Sequence, residues 1–213
     1  MEMTAEILKE NQEKFCELLR RIERKGANIE GLINKLESSD FFEAPASAKY
    51  HNSMKGGLVD HCLNVYYNLE SIVKNKHLQD LIPEESIIIC GLLHDMAKMN
   101  YYEPTARNVK KYHKYGKKSD ELGTFDWVAE LGYKVRDENE RFIYGNHEET
   151  SEFMIRQYIP LSVEESAAIL VHHHSLGYDS APISTTSKTM ERYHLACLLH
   201  IADMISTYID ERV

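Results

Sequence analysis

The sequence lacks closely spaced cysteines and long apolar stretches. Its four cysteines, Cys16, Cys62, Cys90 and Cys197, lie far apart in segments with helical periodicity. This spacing argues against disulfide frameworks, zinc-binding cysteine pairs and redox motifs, and favours packing in a core. No apolar run approaches the roughly 20 residues of a membrane-spanning helix, and the acidic N-terminal segment does not resemble a signal peptide. We therefore expect a cytoplasmic protein with no membrane partner.

Positive charge is also scarce, because 25 Lys and Arg face 34 Asp and Glu, a formal net charge of -9. An acidic surface repels a phosphate backbone instead of releasing its counterions, so long nucleic acid is a less favoured partner than a small phosphate compound. The chain of 213 residues is 43% hydrophobic and 28% charged, which is ordinary for a globular protein. We expect one domain spanning residues 1–213, with a homo-oligomer as an open possibility.

The most informative residues are His94 and Asp95, which interrupt the apolar run from Ile87 to Met96. A buried carboxylate costs several kcal/mol unless a cation or hydrogen-bond donors answer it. Other apolar or helix-forming segments supply further imidazoles and a carboxylate, namely His61, His147, His172 and Asp203. Imidazole and carboxylate together bind transition metals. The sequence thus predicts a site for one or two divalent ions, of Mn, Fe, Ni, Co or Zn, with Mg less favoured.

Local patterns place this site among helices. Pro83-Glu84-Glu85 is typical of a helix start, and the nearly uniform apolar character of the following helix indicates a central position. Ser162 and Glu165 have the spacing of a capping box, which predicts another helix start. Between residues 100 and 146 the helical period fades, and the segments 109–112 and 133–136 indicate a hairpin or an ordered loop.

The order of these residues resembles that of the HD superfamily of metal-dependent phosphohydrolases. The resemblance rests on His61 after Gly56-Gly57-Leu58, on His94-Asp95-Met96-Ala97-Lys98, and on Asp203. It extends from about Phe41 to Glu211. Segments 107–110 and 145–147 are similar to the insertion found in a poorly characterised bacterial and phage branch. Segments 42–46 and 56–61 are also similar to the HD domain of a 3′-5′ exoribonuclease.

The resemblance implies an all-α fold, an HD-domain helical bundle around a central metal-bearing helix with a loop or small hairpin as an insertion. On this reading residues 1–40 form N-terminal helices. Residues 41–99 and 147–213 form the HD core, and residues 100–146 form the insertion or lid.

The resemblance also implies a ligand set. The first metal would be held by His61, His94, Asp95 and Asp203, and in members with two metals Asp95 bridges while His147 and His172 bind the second ion. Three consecutive histidines occupy residues 172–174, of which we favour His172 and then His173. Where related proteins have His-Gly-Glu-Lys-Ser, residues 147–151 are His-Glu-Glu-Thr-Ser, which removes a lysine that a phosphate contact would use.

The expected function is hydrolysis of a small phosphate ester, preferably a nucleotide, by a metal-activated water. Asp95 would orient the water or take its proton, and Lys98, one helical turn later, would act in catalysis and hold a substrate phosphate. Further candidates for proton transfer or substrate contact are His51, Glu148 and Glu149. The basic insertion, with Arg107 and Lys110, would clamp phosphates as a lid.

Two other classes of function remain open at this point. Some HD-type proteins hold two irons and activate dioxygen with similar ligands, and iron content with oxygen consumption would identify such an oxygenase. A non-catalytic nucleotide-sensing module is the third hypothesis. A purely structural reading, in which His94 and Asp95 form a buried ion pair and the basic insertion is a solvated loop, competes with all three.

Overall fold

The computed structural model describes residues 3–142, 144–173 and 183–211. Within these residues the chain forms eight α-helices, three β-strands and three short helical turns. The α-helices are α1 (Ala5–Leu19), α2 (Ile29–Glu37), α3 (Gly57–Asn75), α4 (Glu84–Leu93), α5 (His147–Arg156), α6 (Val163–Val171), α7 (Ile183–Arg192) and α8 (His194–Ile205). The strands are β1 (Tyr102–Tyr112), β2 (Lys118–Asp120) and β3 (Gly123–Val135). The short turns are the 3₁₀ segments Met96–Lys98 and Glu138–Glu140 and the π-helical segment Ser206–Asp210.

Two predicted helix starts are confirmed. Helix α4 begins after Pro83, with Glu84 and Glu85 in the first turn, where carboxylates interact favourably with the helix dipole. Helix α6 begins after Ser162, whose hydroxyl accepts a hydrogen bond from the amide of Glu165, and the Glu165 carboxylate returns the interaction. Both local signals therefore act as the sequence indicates.

Helix α4 is the centre of the helical core, as its apolar composition predicts. Every residue from Ser86 to Leu93 is buried. Helix α3 packs against α4 and α8, and α6 packs against α4, α5 and α8. The approach of α3 to α4 is very close at Gly91, where a Cβ atom would lie 2.7 Å from Cα of Tyr66. This contact brings the first turns of α3 beside the C-terminal end of α4.

The all-α expectation holds for the core but not for the insertion. Strands β1 and β3 form a long antiparallel ribbon in which Val109 lies opposite Val128. The three residues of β2 pair antiparallel with β3 on the side away from β1. Of the two segments that indicate a hairpin, 109–112 lies at the distal end of β1. Tyr133, from the second segment, pairs with Pro104 and not with that segment. The ribbon is longer than these segments indicate, with eleven cross-strand pairs from Tyr102–Val135 to Tyr112–Phe125.

No helix in the described part of the chain combines the length and the apolar character needed to cross a membrane.

Candidate metal centre

Five helices each deliver a side chain to one buried region. His61 lies in the second turn of α3, and Asp203 lies near the end of α8. His94 is the residue at which α4 ends, and Asp95 follows it in a non-helical conformation. Helix α5 begins at His147, and α6 ends at His172. The structure thus brings together all six residues that the sequence analysis proposes as metal ligands.

One oxygen of Asp95 faces the first pair of histidines. Asp95 Oδ2 lies 3.4 Å from His94 Nε2 and 3.5 Å from His61 Nε2, and these two nitrogens are 3.3 Å apart. All three side chains are buried. Their donor atoms are close enough together to share one ion.

The other oxygen of Asp95 faces a second set of imidazoles. Asp95 Oδ1 lies 3.8 Å from His172 Nε2 and 3.9 Å from His147 Nε2. His173 joins this set, since its Nδ1 is 2.7 Å from His147 Nε2. His147, His172 and His173 form a second group with metal-binding spacing. His174 lies outside the described residues.

Asp203 connects the same two groups from the other side. Its Oδ1 is 3.3 Å from His61 Nε2, and its Oδ2 is 3.1 Å from His173 Nε2. The sequence analysis ranks His173 second to His172, yet the structure places both at the centre. The run of consecutive histidines carries that signal, because the end of α6 directs two successive side chains to one region.

Four of the imidazoles have Nδ1 next to a hydrogen-bond acceptor. The acceptor is a backbone carbonyl for His94 (Gly91 O, 3.1 Å) and His172 (Ile169 O, 2.6 Å). It is a carboxylate for His61 (Glu211, 2.9 Å) and His147 (Glu148, 3.0 Å). A proton on each Nδ1 leaves the lone pair of each Nε2 for the site, which is the arrangement that metal-binding histidines need.

The carboxylates of the site are held in their charged form. Burial by itself raises the pKa of Asp95, but the charge of Lys98 and the nearby imidazoles, His94 first among them, bring that pKa well below its usual range. Burial acts in the same direction on Asp203, where hydrogen bonds from His173 and His61 lower the pKa well below the usual value. Both groups are therefore anionic at neutral pH and suited to a cation.

The imidazoles divide into two electrostatic classes. Burial lowers the pKa of His147 to about 3, and burial also lowers the pKa of His172. For His61 and His173 burial acts in the same direction, but a hydrogen bond to Asp203 raises the pKa of each, and His61 has further hydrogen bonds to Asp95 and Glu211 that act the same way. Protons on these two residues provide positive charge that a metal ion would otherwise supply, so protons and metal compete for the site.

Two buried polar atoms show that the site fits a cation. Asp95 Oδ1 and His172 Nε2 are both inaccessible to solvent and have no hydrogen-bond partner among the described residues. A carboxylate oxygen and an imidazole nitrogen left unpaired in an apolar interior are costly. A divalent transition ion accepts electron pairs from both, and nitrogen with oxygen ligands is the set such ions prefer.

Lys98 lies beside Asp95 in the short 3₁₀ turn that follows α4. Its ammonium donates to Asp95 Oδ2 at 2.6 Å, and the residue is only 8% exposed. Burial by itself would lower the pKa of Lys98, but the Asp95 carboxylate raises it above the usual value. Lys98 is therefore a permanent cation whose first partner is a site carboxylate, and two of its three N–H donors remain for another oxygen.

His51 and Glu211 flank His61 on the side away from Asp95. The ring centre of His51 is 5.0 Å from that of His61, and burial lowers the pKa of His51 to about 4. Glu211 contacts His61 Nδ1 although the two are 150 residues apart in sequence. The sequence analysis does not single out Glu211, because an acidic residue in a terminal turn has no distinguishing local pattern.

Glu149 is part of the N-terminal cap of helix α5. Its carboxylate accepts a hydrogen bond from the amide of Asn146 at 3.0 Å, and the Asn146 side chain accepts one from the Glu149 amide at 2.8 Å. The two residues form a capping box at the start of α5. The Asn-x-x-Glu spacing of residues 146–149 is a sequence signal that identifies this role.

Arg107 and Lys110 do not converge on the metal centre. They lie on opposite faces of the ribbon, since their positions on β1 differ by an odd number of residues. Lys110 contacts Asp120 at 2.5 Å and lies over the Phe125 ring at 4.6 Å, and Arg107 is opposite Glu130. Acidic and aromatic residues of the ribbon itself therefore engage Lys110, one of the two basic residues that the lid hypothesis assigns to a phosphate.

Exposure differs between the two sides of the site. The side chains of His61, His94, Asp95 and His172 are almost completely buried, whereas those of His147 and His173 are 30% and 36% exposed. Among the described residues, solvent and a small molecule therefore reach the centre from the side of His147 and His173.

Comparisons with known proteins give one match. The family model described as HD domain matches residues 58–208, which is more than half of the chain and includes His61, both histidine groups and Asp203. No curated protein and no solved structure matches the chain.

Proposed function

Because the chain belongs to the HD domain family, we propose that it is a metal-dependent phosphohydrolase for a nucleotide or another small phosphate ester. The observation that carries the proposal is the position of Asp95, whose two oxygens face two separate sets of imidazoles. A carboxylate so placed can bridge two ions. His61, His94, Asp95 and Asp203 would hold one ion, and His147, His172 and Asp95 would hold another, with His173 beside them.

The chemistry divides between the bound ion and the chain. A divalent ion bound there would supply the positive charge that acidifies water and offsets charge on phosphoryl oxygens. Asp95 would orient the attacking water, because its buried Oδ1 has no partner among the described residues and can accept a hydrogen bond. Lys98 keeps Asp95 anionic and can offer a further N–H to a phosphoryl oxygen.

The proposed substrate is small for two reasons. The exposed side of the site lies at His147 and His173, where a phosphate group can approach while the remainder of the site stays closed. The formal net charge of -9 opposes binding of a long polyanion. A nucleotide satisfies both conditions, since it presents a terminal or bridging phosphate and carries few charges.

The proposal is tested by metal analysis of the purified protein and a phosphate-release screen. The screen would cover phosphomonoesters, phosphodiesters and nucleotides with Mn²⁺, Fe²⁺, Co²⁺, Ni²⁺ or Mg²⁺ added. Asp95→Ala should lose metal and lower hydrolysis by about 100-fold or more, because each ion loses a ligand. Asp80→Ala, which removes an exposed carboxylate far from the site in sequence, serves as the control and should retain both. An Asp95→Ala protein with unchanged metal content and hydrolysis would contradict the proposal.

The same two-sided arrangement around Asp95 also suits a pair of irons, so oxygen uptake belongs in the same screen. Two bound irons with substrate-dependent oxygen consumption and no phosphate release would favour the oxygenase. Tight nucleotide binding by the metal-loaded protein without turnover would favour the sensing module.

A further inference from the structure

The ribbon formed by β1 and β3 is amphipathic along its length. On one face, charged residues pair across the strands, with Lys134 at 2.7 Å from Glu103 and Lys111 at 3.0 Å from Glu130. The opposite face is mainly apolar and is built by the cross-strand pairs Pro104–Tyr133, Ala106–Leu131, Asn108–Ala129, Lys110–Trp127 and Tyr112–Phe125. Such alternation normally accompanies burial of the apolar face.

Within the described residues that apolar face is open. Leu131 is 69% exposed and Trp127 is 49% exposed, although Phe125 at the distal end is buried. Strands β1 and β3 pack extensively only on each other and not on any described helix. A two-stranded ribbon is at best marginally stable in water unless its apolar face is covered.

The shape of this face makes it complementary to itself. The β3 side carries the large residues Trp127 and Leu131, and the β1 side carries the small residues Pro104 and Ala106. A shallow depression of about 420 Å³ lies between them, lined by residues 104–106 and 129–131. A ridge and a groove on one surface fit each other when two copies meet around a twofold axis.

The distribution of charge favours the same occupant. Lys110, the one charged residue that β1 and β3 place on the apolar face, is already paired with Asp120 of β2. Residues 102–135 have seven Lys and Arg against five Asp and Glu, a formal charge of +2. The rest of the chain carries -11, which gives the net charge of -9. The excess negative charge therefore lies outside the ribbon.

We propose that the apolar face of the ribbon is a self-association surface, on which a second copy of this chain packs the same face. The two ribbons then form a two-layer sheet that buries Trp127 and Leu131 of both copies. Each ribbon face measures about 37 Å by 10 Å, so the contact is smaller than a standard protein interface and the dimer is of micromolar affinity or weaker.

Sedimentation velocity over about 1–500 µM protein tests the proposal in solution. The wild-type chain should change from monomer to dimer, and the emission of Trp127, the sole tryptophan, should shift to shorter wavelength with the same midpoint. Leu131→Glu should weaken the dimer by at least about tenfold, because a carboxylate enters the contact. Leu81→Glu is the matched control, since Leu81 is 62% exposed outside the ribbon, and it should leave the dimer unchanged.

Cross-linking tests which face makes the contact. In a Cys197→Ser background, Asn108→Cys should give a covalent dimer with a bismaleimide about 10 Å long, the usual spacing of stacked sheets. Arg107→Cys, the neighbouring position on the charged face, should not. A chain that stays monomeric throughout the concentration range, or a dimer that Leu131→Glu leaves intact, would overturn the proposal. A Trp127 emission at short wavelength throughout the concentration range would also overturn it, because the apolar face would then pack on its own chain.

Discussion

Removing the carboxylate of Glu211 should weaken metal binding although Glu211 itself faces away from Asp95. Its Oε1 lies 2.9 Å from His61 Nδ1, and both side chains are 1% exposed. The contact requires a proton on Nδ1 and so leaves the lone pair of Nε2 to face Asp95 and Asp203. In Glu211→Ala, His61 Nδ1 loses this acceptor. The tautomer with the proton on Nε2 then becomes populated, and in that tautomer Nε2 cannot bind a metal.

The size of the effect follows from the type of contact. Loss of the partner that orients a metal-binding histidine typically lowers metal affinity 10–100-fold, or about 1.4–2.7 kcal/mol. Full burial of both side chains places the expected loss for Glu211→Ala toward the upper end of this range. Glu211→Gln should lose less, because an amide oxygen still accepts from Nδ1.

The assay is calorimetric titration of metal-stripped protein with Mn²⁺ or Co²⁺, which needs no substrate. Asp210→Ala is the matched control, since Asp210 is the preceding residue and contacts Asn68 at 2.8 Å instead of His61. Its metal affinity should equal that of the wild type. Wild-type affinity in Glu211→Ala would refute the tautomer argument. An equal loss in both alanine variants would refute it too, because a general loosening of the last turn would then explain the result.

Three further predictions concern the scaffold. Burial alone would raise the pKa of Glu165, but hydrogen bonds from Arg24 at 2.6 and 2.7 Å and from other donors lower that pKa. The Arg24–Glu165 pair therefore stabilises the fold fully above about pH 4.3, the pKa of an unfolded glutamate. This stabilisation is lost as the pH falls through the lowered pKa of the folded state. Glu165→Gln should therefore cost about 3 kcal/mol in urea unfolding at neutral pH and progressively less below about pH 4.3; a pH-independent cost would contradict the sign. Gly91→Ala should lower the free energy of unfolding by about 1–3 kcal/mol and also weaken metal binding. The reason is that the new Cβ would lie 2.7 Å from Tyr66 Cα and push α3 away from α4. An unaltered unfolding midpoint would contradict this close contact. Asn146→Ala should cost about 1 kcal/mol by removing the cap of α5, and thermal unfolding indistinguishable from wild type would show that the cap contributes nothing.

Local signals predicted those elements whose cause is local. The start of α4 and the capping box of α6 depend on residues within one helical turn, so the sequence analysis placed both correctly. Asn146 and Glu149 have the same capping spacing, and the structure shows that they form the cap of α5, a role that the sequence analysis did not assign to them. Lys110 shows the other limit, because its partner Asp120 belongs to another strand and no periodicity within β1 reveals it.

The sequence by itself determined the chemistry of this protein. A carboxylate inside an apolar run needs a compensating charge, and the order His61, His94, Asp95 and Asp203 resembles the HD superfamily, whose family model matches residues 58–208. Only the tertiary structure decided which atom of each residue faces which neighbour: the two oxygens of Asp95 toward two histidine groups, and Glu211 behind His61. The reason is physical, because ligand type is a property of a side chain, whereas bridging and tautomer selection depend on distances of about 3–4 Å between helices far apart in sequence.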